Sequence, residues 1–169
     1  MKSVGSNLVD RRPRRSRITF ADMAVRASRE VVFDVPPEVI LDVLADIDSV
    51  PSWSSLHKTA EVLDRHPDGR PHHVKATLKI MGITDKEILE YHWGERWMVW
   101  DSSETSAQRG LHGEYNLTPE GEDRTRVRFD IILELAAPVP AFLVKRAKKM
   151  VLDVATESLR ERVMASGST

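Results

Sequence analysis

For about eighty residues after Trp53 the chain alternates apolar and polar side chains with a period of two, and turn signals interrupt it at short intervals. The interruptions are HPDGRP (66–71), MGITD (81–85), WGER (93–96), ETSAQ (104–108) and TPEGED (118–123). This spacing predicts six strands in a meander. In RTRVRFDIILEL, Val127, Phe129, Ile131 and Leu133 alternate with Arg126, Arg128, Asp130 and Glu134. HVKATLKI sets Val74, Ala76, Leu78 and Ile80 against lysines and Thr77, and KEILEYHW sets Leu89, Tyr91 and Trp93 against Glu90 and His92. Such alternation predicts an antiparallel sheet with one apolar and one wet face.

The flanks must cover the apolar face. Upstream, Val31 and Phe33 alternate with Val32 and Asp34, which reads as one more strand. Pro36 and Pro37 then fix φ where a helix begins, and Val39, Val43, Leu44 and Ile47 follow at helical spacing. Pro51 forbids continuation, so the chain bends before Trp53. Downstream of APVP (137–140), Leu143, Ala147, Met150 or Val151, Val154, Ser158 and Val163 mark one long amphipathic helix. The expected class is α+β: a curved seven-stranded antiparallel sheet wrapped around a long C-terminal helix, with two short helices between strands 1 and 2.

Lys2 and five arginines against Asp10 and Asp22 give residues 1–22 a net charge of +4, leaving −5 for the rest of a chain that totals −1. The run RRPRRSR (11–17) has no apolar periodicity and reads as a solvated, disordered arm, with no nucleic acid expected as partner. Met23 makes a sensible start for the folded part, and residues 23–169 are expected to form one domain. With no cysteine, disulfides, thiolate metal sites and cysteine nucleophiles are excluded, and the cytoplasm is the expected compartment. No apolar run is long enough to span a bilayer, and the first residues lack the apolar core of a secretory signal.

Signals for catalysis are sparse. His66, His72 and His73 surround a turn, His92 and His112 share the charged parity, and His57 begins a strand. Simple alternation sends His72 and His73 to opposite faces, so no metal and no cofactor is expected. Of Glu87, Glu90, Glu114, Asp130 and Glu134, most fall on the charged face, where surface pairing explains them. Neither a Gly-rich phosphate loop nor a serine elbow is present.

The stretches ASREVVFDVPPEVILDVLADIDSVPSWSS, KIMGITDKEILEYHW and PVPAFLVKRAKKMV resemble the polyketide cyclase/dehydrase and lipid-transport family of the START-like, helix-grip superfamily over residues 26–165. The resemblance implies a cavity between sheet and long helix that holds one hydrophobic ligand such as a lipid, quinone or polyketide-like molecule. Tyr91, Trp93, Leu111, Tyr115, Phe129 and Ile131 share the inward parity with small Ala76 and Gly113, which suggests room for such a ligand. Leu78, together with Phe142, Met150 and Val154 of the helix, completes the expected lining, and Trp53 is placed at its mouth. Binding is the first function expected. A cyclase or dehydrase using Tyr91 or Tyr115 as proton donor is the alternative. At the helix start, Phe142 and Leu143 meet Lys145, Arg146, Lys148 and Lys149, cations that oppose the helix dipole and are expected to form an edge for anionic membranes. The chain is expected to be a monomer or homodimer.

Overall fold

The computed structural model describes residues 22–166, so the arginine arm lies outside the described residues. Seven strands form one antiparallel sheet in the order β1-β7-β6-β5-β4-β3-β2. They are β1 (Ala24–Phe33), β2 (His57–Arg65), β3 (Pro71–Ile80), β4 (Ile83–Trp93), β5 (Trp97–Ser102), β6 (Gln108–Pro119) and β7 (Thr125–Leu135). Hairpins join β2 through β7, and β1 closes onto β7 with Ala24 opposite Glu134. The β3–β4 turn is tight because Met81 and Gly82 both take positive φ, 50° and 81°, which matches the twist of the paired strands.

Between β1 and β2 lie α1 (Pro37–Ala45), a 3-10 turn (Ile47–Ser49) and α2 (Val50–Trp53). Pro51 does not stop the first helix. That helix ends at Asp46, whose ψ of 73° leaves the helical region, and Pro51 instead occupies the first turn of α2, where its missing amide costs nothing. The bend is thus five residues earlier than proline alone indicates.

The C-terminal helix runs over residues 141–166 in three parts: α3 (Ala141–Asp153), a π turn (Val154–Ser158) and α4 (Leu159–Ser166). Its apolar stripe follows steps of four: Leu143, Ala147, Val151, Ala155, Leu159, Val163. In a regular helix such a stripe drifts about 40° at every step. The π turn adds a residue and takes back about 100° of the drift. Of the two alternatives Met150 and Val151, it is therefore Val151 that faces inward, and Leu159 does so where Ser158 was expected; Met150 is 39% exposed and Leu159 fully buried. Met150 is consequently not on the inner side with the other expected lining residues.

The two halves of this helix pack differently. Ala155, Leu159 and Val163 join Phe33, Ile40, Leu44 and the sheet residues Val127 and Phe129 in the main core. Within α3 no residue is buried. At the junction, the Tyr115 hydroxyl donates to the Ala155 carbonyl at 2.8 Å, a side chain inserted at the turn where the helix ladder is disturbed. Tyr115→Phe keeps the ring and removes this bond, and is expected to cost about 1–2 kcal/mol. Urea denaturation of the two proteins checks it; equal midpoints would show that the bond contributes nothing.

On the opposite edge the β2–β3 ladder shifts register on both sides of the Asp64–His73 pair. His72 is the extra residue on β3. A bulge of this kind re-aims a side chain, and it brings the His72 and His73 rings to 4.0 Å instead of sending them to opposite faces.

Candidate functional site

Register sets the inner face in rows. Trp93, Met98, Tyr115 and Phe129 lie abreast across β4 to β7, followed by Tyr91, Trp100, Gly113 and Ile131, and then by Leu89, Ser102, Leu111 and Leu133. In the first row Met98, Tyr115 and Phe129 are buried. Tyr91, Trp100, Ile131 and Leu111 of the next two rows keep accessible surface although they share that face. The C-terminal helix covers the face unevenly: α4 buries Leu159 and Val163 in the main core, while α3, which contacts β1, has no buried residue.

Trp100 is the hub of the face. Its ring lies 6.1 Å from Tyr91, 5.7 Å from Tyr115 and 6.0 Å from Phe129, and Tyr91 in turn stacks on Trp93 at 5.9 Å. Gly113 is small because Trp100 lies on it: a Cβ there would fall 2.1 Å from the indole Cζ2. The space read into Gly113 is thus filled by an indole. Two surface clefts, of about 420 and 260 Å³, flank α1 at Glu38 and Arg70 and at Asp42 and Arg162. The ligand-sized cavity expected beneath the long helix is not either of these.

The remaining expected residues are scattered. Ala76 is buried with Ile47, Val74 and Leu89, and Leu78 packs half-buried on that cluster. Val154 is buried in the π turn. Trp93 donates its indole N–H to the Pro71 carbonyl at 2.8 Å and lies under the Arg70 guanidinium, 5.3 Å from the ring centre. Trp53 packs half-buried against the main core, and its indole N–H is buried without a hydrogen-bond partner among the described residues. Phe142 is 58% exposed, outside the face.

Beyond the Leu89–Ser102–Leu111 row the inner face becomes polar, a feature that charge-based reading of the sequence passed over. Glu87 has the parity of Leu89 and Tyr91 and is only 6% exposed. Burial pushes its carboxyl up to about 7, and a hydrogen bond with Asp85 and that residue's charge push the same way. Thr105 Oγ1 donates to Asp85 at 2.9 Å. Gln108, 2% exposed, gives its amide N–H groups to Ser102 Oγ and the Ser103 carbonyl, both at 3.1 Å, and keeps a buried Oε1 with no partner. The Tyr91 hydroxyl is raised by burial and, further, by the charge of Glu87. Tyr115 is raised by burial too, and its proton is committed to Ala155. A protonatable acid, a free acceptor and an apolar aromatic floor thus share one side of the sheet.

The family described as polyketide cyclase/dehydrase and lipid transport matches residues 24–163. The chain belongs to this family. No curated protein sequence matches it. Among solved structures it is similar to a START superfamily protein from Mycobacterium smegmatis, at 22% identity and a TM-score of 0.74 over 83% of this chain and 97% of that one. It is also similar to the Zhui aromatase/cyclase from a Streptomyces species, at 13% identity and 0.67 over 83% and 94%. A third is major latex-like protein 151 from Panax ginseng, at 12% identity and 0.62 over 83% and 98%. At these identities the likeness is one of fold, the helix-grip arrangement of an antiparallel sheet around a long C-terminal helix. No helix of the described residues is long and apolar enough to cross a membrane.

Proposed function

We propose that this member of the family binds one small, ring-bearing hydrophobic ligand on the inner face beneath α3, with the ligand's oxygen-bearing end toward Glu87 and Gln108. The observation that carries this reading is the middle of the face: Tyr91, Trp100, Leu111 and Ile131 keep some accessible surface there, and α3 buries none of its own residues. Apolar floor with a few convergent polar groups is the general make-up of a small-molecule site. Glu87 in its protonated form would donate to a ligand carbonyl, and Gln108 Oε1 would accept from a hydroxyl. Trp53, with its free N–H, supports a place at the rim of the same site.

Entry from a membrane fits the start of α3. Phe142 is exposed and Leu143 half-exposed beside Lys145, Arg146 and Lys148, while Lys149 is held by Asp153 at 2.6 Å. The cytoplasm is the compartment this reading assumes. A second reading, a cyclase or dehydrase, is favoured by Glu87 alone: a carboxyl poised near neutrality gives and takes protons in one pH range, and Tyr91 would assist it.

Titration with the naphthoquinone menadione, followed by tryptophan fluorescence, tests the binding. The native chain should bind it one to one, and Leu111→Asp should weaken the complex by at least about tenfold while circular dichroism stays unchanged. Equal affinity in the two proteins would remove the inner face from consideration.

A further inference from the structure

Four of the six histidines gather on the outer face, at the end of the sheet where β2, β3 and β4 meet. His66 stacks on His72 with ring centres 4.2 Å apart, His72 lies 4.0 Å from His73, and His92 is 5.4 and 5.6 Å from His66 and His72. Two carboxylates, Asp64 and Glu90, stand among them. The bulge at His72 makes this possible, because an unbulged β3 would carry that ring to the apolar side.

We propose that this cluster binds a divalent transition-metal ion of the zinc and nickel class, held by His72 Nε2, His92 Nε2 and a Glu90 carboxylate oxygen. Glu90 Oε1 is 3.0 Å from His92 Nε2 and 3.4 Å from His72 Nε2. Bonds of about 2.1 Å at tetrahedral to octahedral angles set neighbouring donor atoms roughly 3.0–3.4 Å apart; these two separations match that spacing, and all three donor atoms lie within 4.8 Å of one another. Two imidazoles and one carboxylate leave positions for water, and that mixture of nitrogen and oxygen suits zinc and nickel better than calcium or magnesium.

The surroundings are those of a supported site. A ligating histidine is normally oriented through its other ring nitrogen, and His72 Nδ1 faces Asp64 Oδ1 at 3.6 Å. Asp64 is itself fixed: it accepts the His73 backbone N–H at 2.8 Å and the His73 ring Nδ1 at 2.9 Å. A shell built on Asp64, His72 and His73 is possible in distance, but there Asp64 Oδ1 is already committed twice to His73. His66 walls the cluster from the turn, with its Nε2 bonded to the Tyr91 carbonyl at 2.7 Å.

Isothermal titration of the full, tag-free chain with zinc chloride and with nickel chloride tests the site. One ion per chain should bind with a micromolar dissociation constant. His72→Ala and His92→Ala should each weaken it by at least about tenfold. His112→Ala, on the same face but away from the cluster, should leave it unchanged, and circular dichroism should show all variants folded. No binding at tens of micromolar metal would overturn the proposal. So would affinity that survives both His72→Ala and His92→Ala, or that is lost with His73→Ala while His92→Ala has no effect.

Discussion

Glu87→Gln is expected to make the protein about 3 kcal/mol more stable at pH 8 and to leave its stability nearly unchanged at pH 4. The carboxyl titrates near its ordinary 4.5 in the unfolded chain and near 7 in the folded one, first because it is desolvated and then because Asp85 stands beside it. Below 4.5 it is protonated in both states, so folding carries no penalty. As pH rises from 4.5 to 7 the unfolded chain releases its proton before the folded one does, and stability falls; above 7 the whole cost of burying the anion is present. Glutamine has nearly the same shape, keeps an N–H to offer Asp85 and never ionises. His57 works the other way, its ring pushed down to about 4 by burial, so it lowers stability as pH falls from 6.5. It is present in both proteins and cancels in the difference. Urea denaturation of the pair at pH 4, 5.5 and 8 gives the result. A difference that does not change with pH would mean that Glu87 is not kept protonated, and the acid role in the proposed site would fall with it.

At Gly113 a single methyl group is expected to have an effect of similar size and opposite sign. The added Cβ of Gly113→Ala would lie 2.1, 2.3 and 2.7 Å from three atoms of the Trp100 indole. That indole is not a flexible tip: Tyr91, Tyr115 and Phe129 surround it with ring centres within 6.1 Å. Relief requires moving the aromatic group as a body, so a cost of about 3 kcal/mol is expected. Trp100→Leu alone should cost about 3 kcal/mol through the cavity it leaves. Because the first change fills the space that the second empties, the double variant should be more stable than the two losses added together by at least about 1 kcal/mol. Strict additivity in that cycle would contradict the packing described at Gly113.

The seven strands, their order and the inward parity of Tyr91, Trp93, Phe129 and Ile131 were legible because every hairpin carries a turn signal and β4, β6 and β7 are long enough for their phase to be counted. Trp100 was not picked out, since β5 has six residues and its four apolar side chains, Trp97 to Trp100, run consecutively without alternation. Counting outward from the WGER turn pairs Trp93 with Met98 and would have placed Trp100 inward. Glu87 was legible by the same count, two residues before Leu89, but its charge argued for the wet face and parity prevailed. Neither irregular element left a mark. The bulge at His72 carries no glycine, and residues 154–158, VATES, hold nothing that breaks a helix. Both coincide with tertiary contacts, the Asp64 carboxylate on the His73 backbone N–H and the Tyr115 hydroxyl on the Ala155 carbonyl.

The π turn divides one helix into two territories under different constraints. Substitutions in residues 159–166 disturb the core that every folded copy needs, through Leu159 and Val163. Those in residues 141–153 touch no buried position. The second stretch is held more lightly, through the half-buried Val151 and Leu152 and the Arg29–Asp153 pair, so most of its positions can change at less cost to folding than those of the first. If the proposed binding beneath α3 holds, a lineage carrying this fold could therefore change its ligand by exchanging half a helix, without having to relearn how to fold.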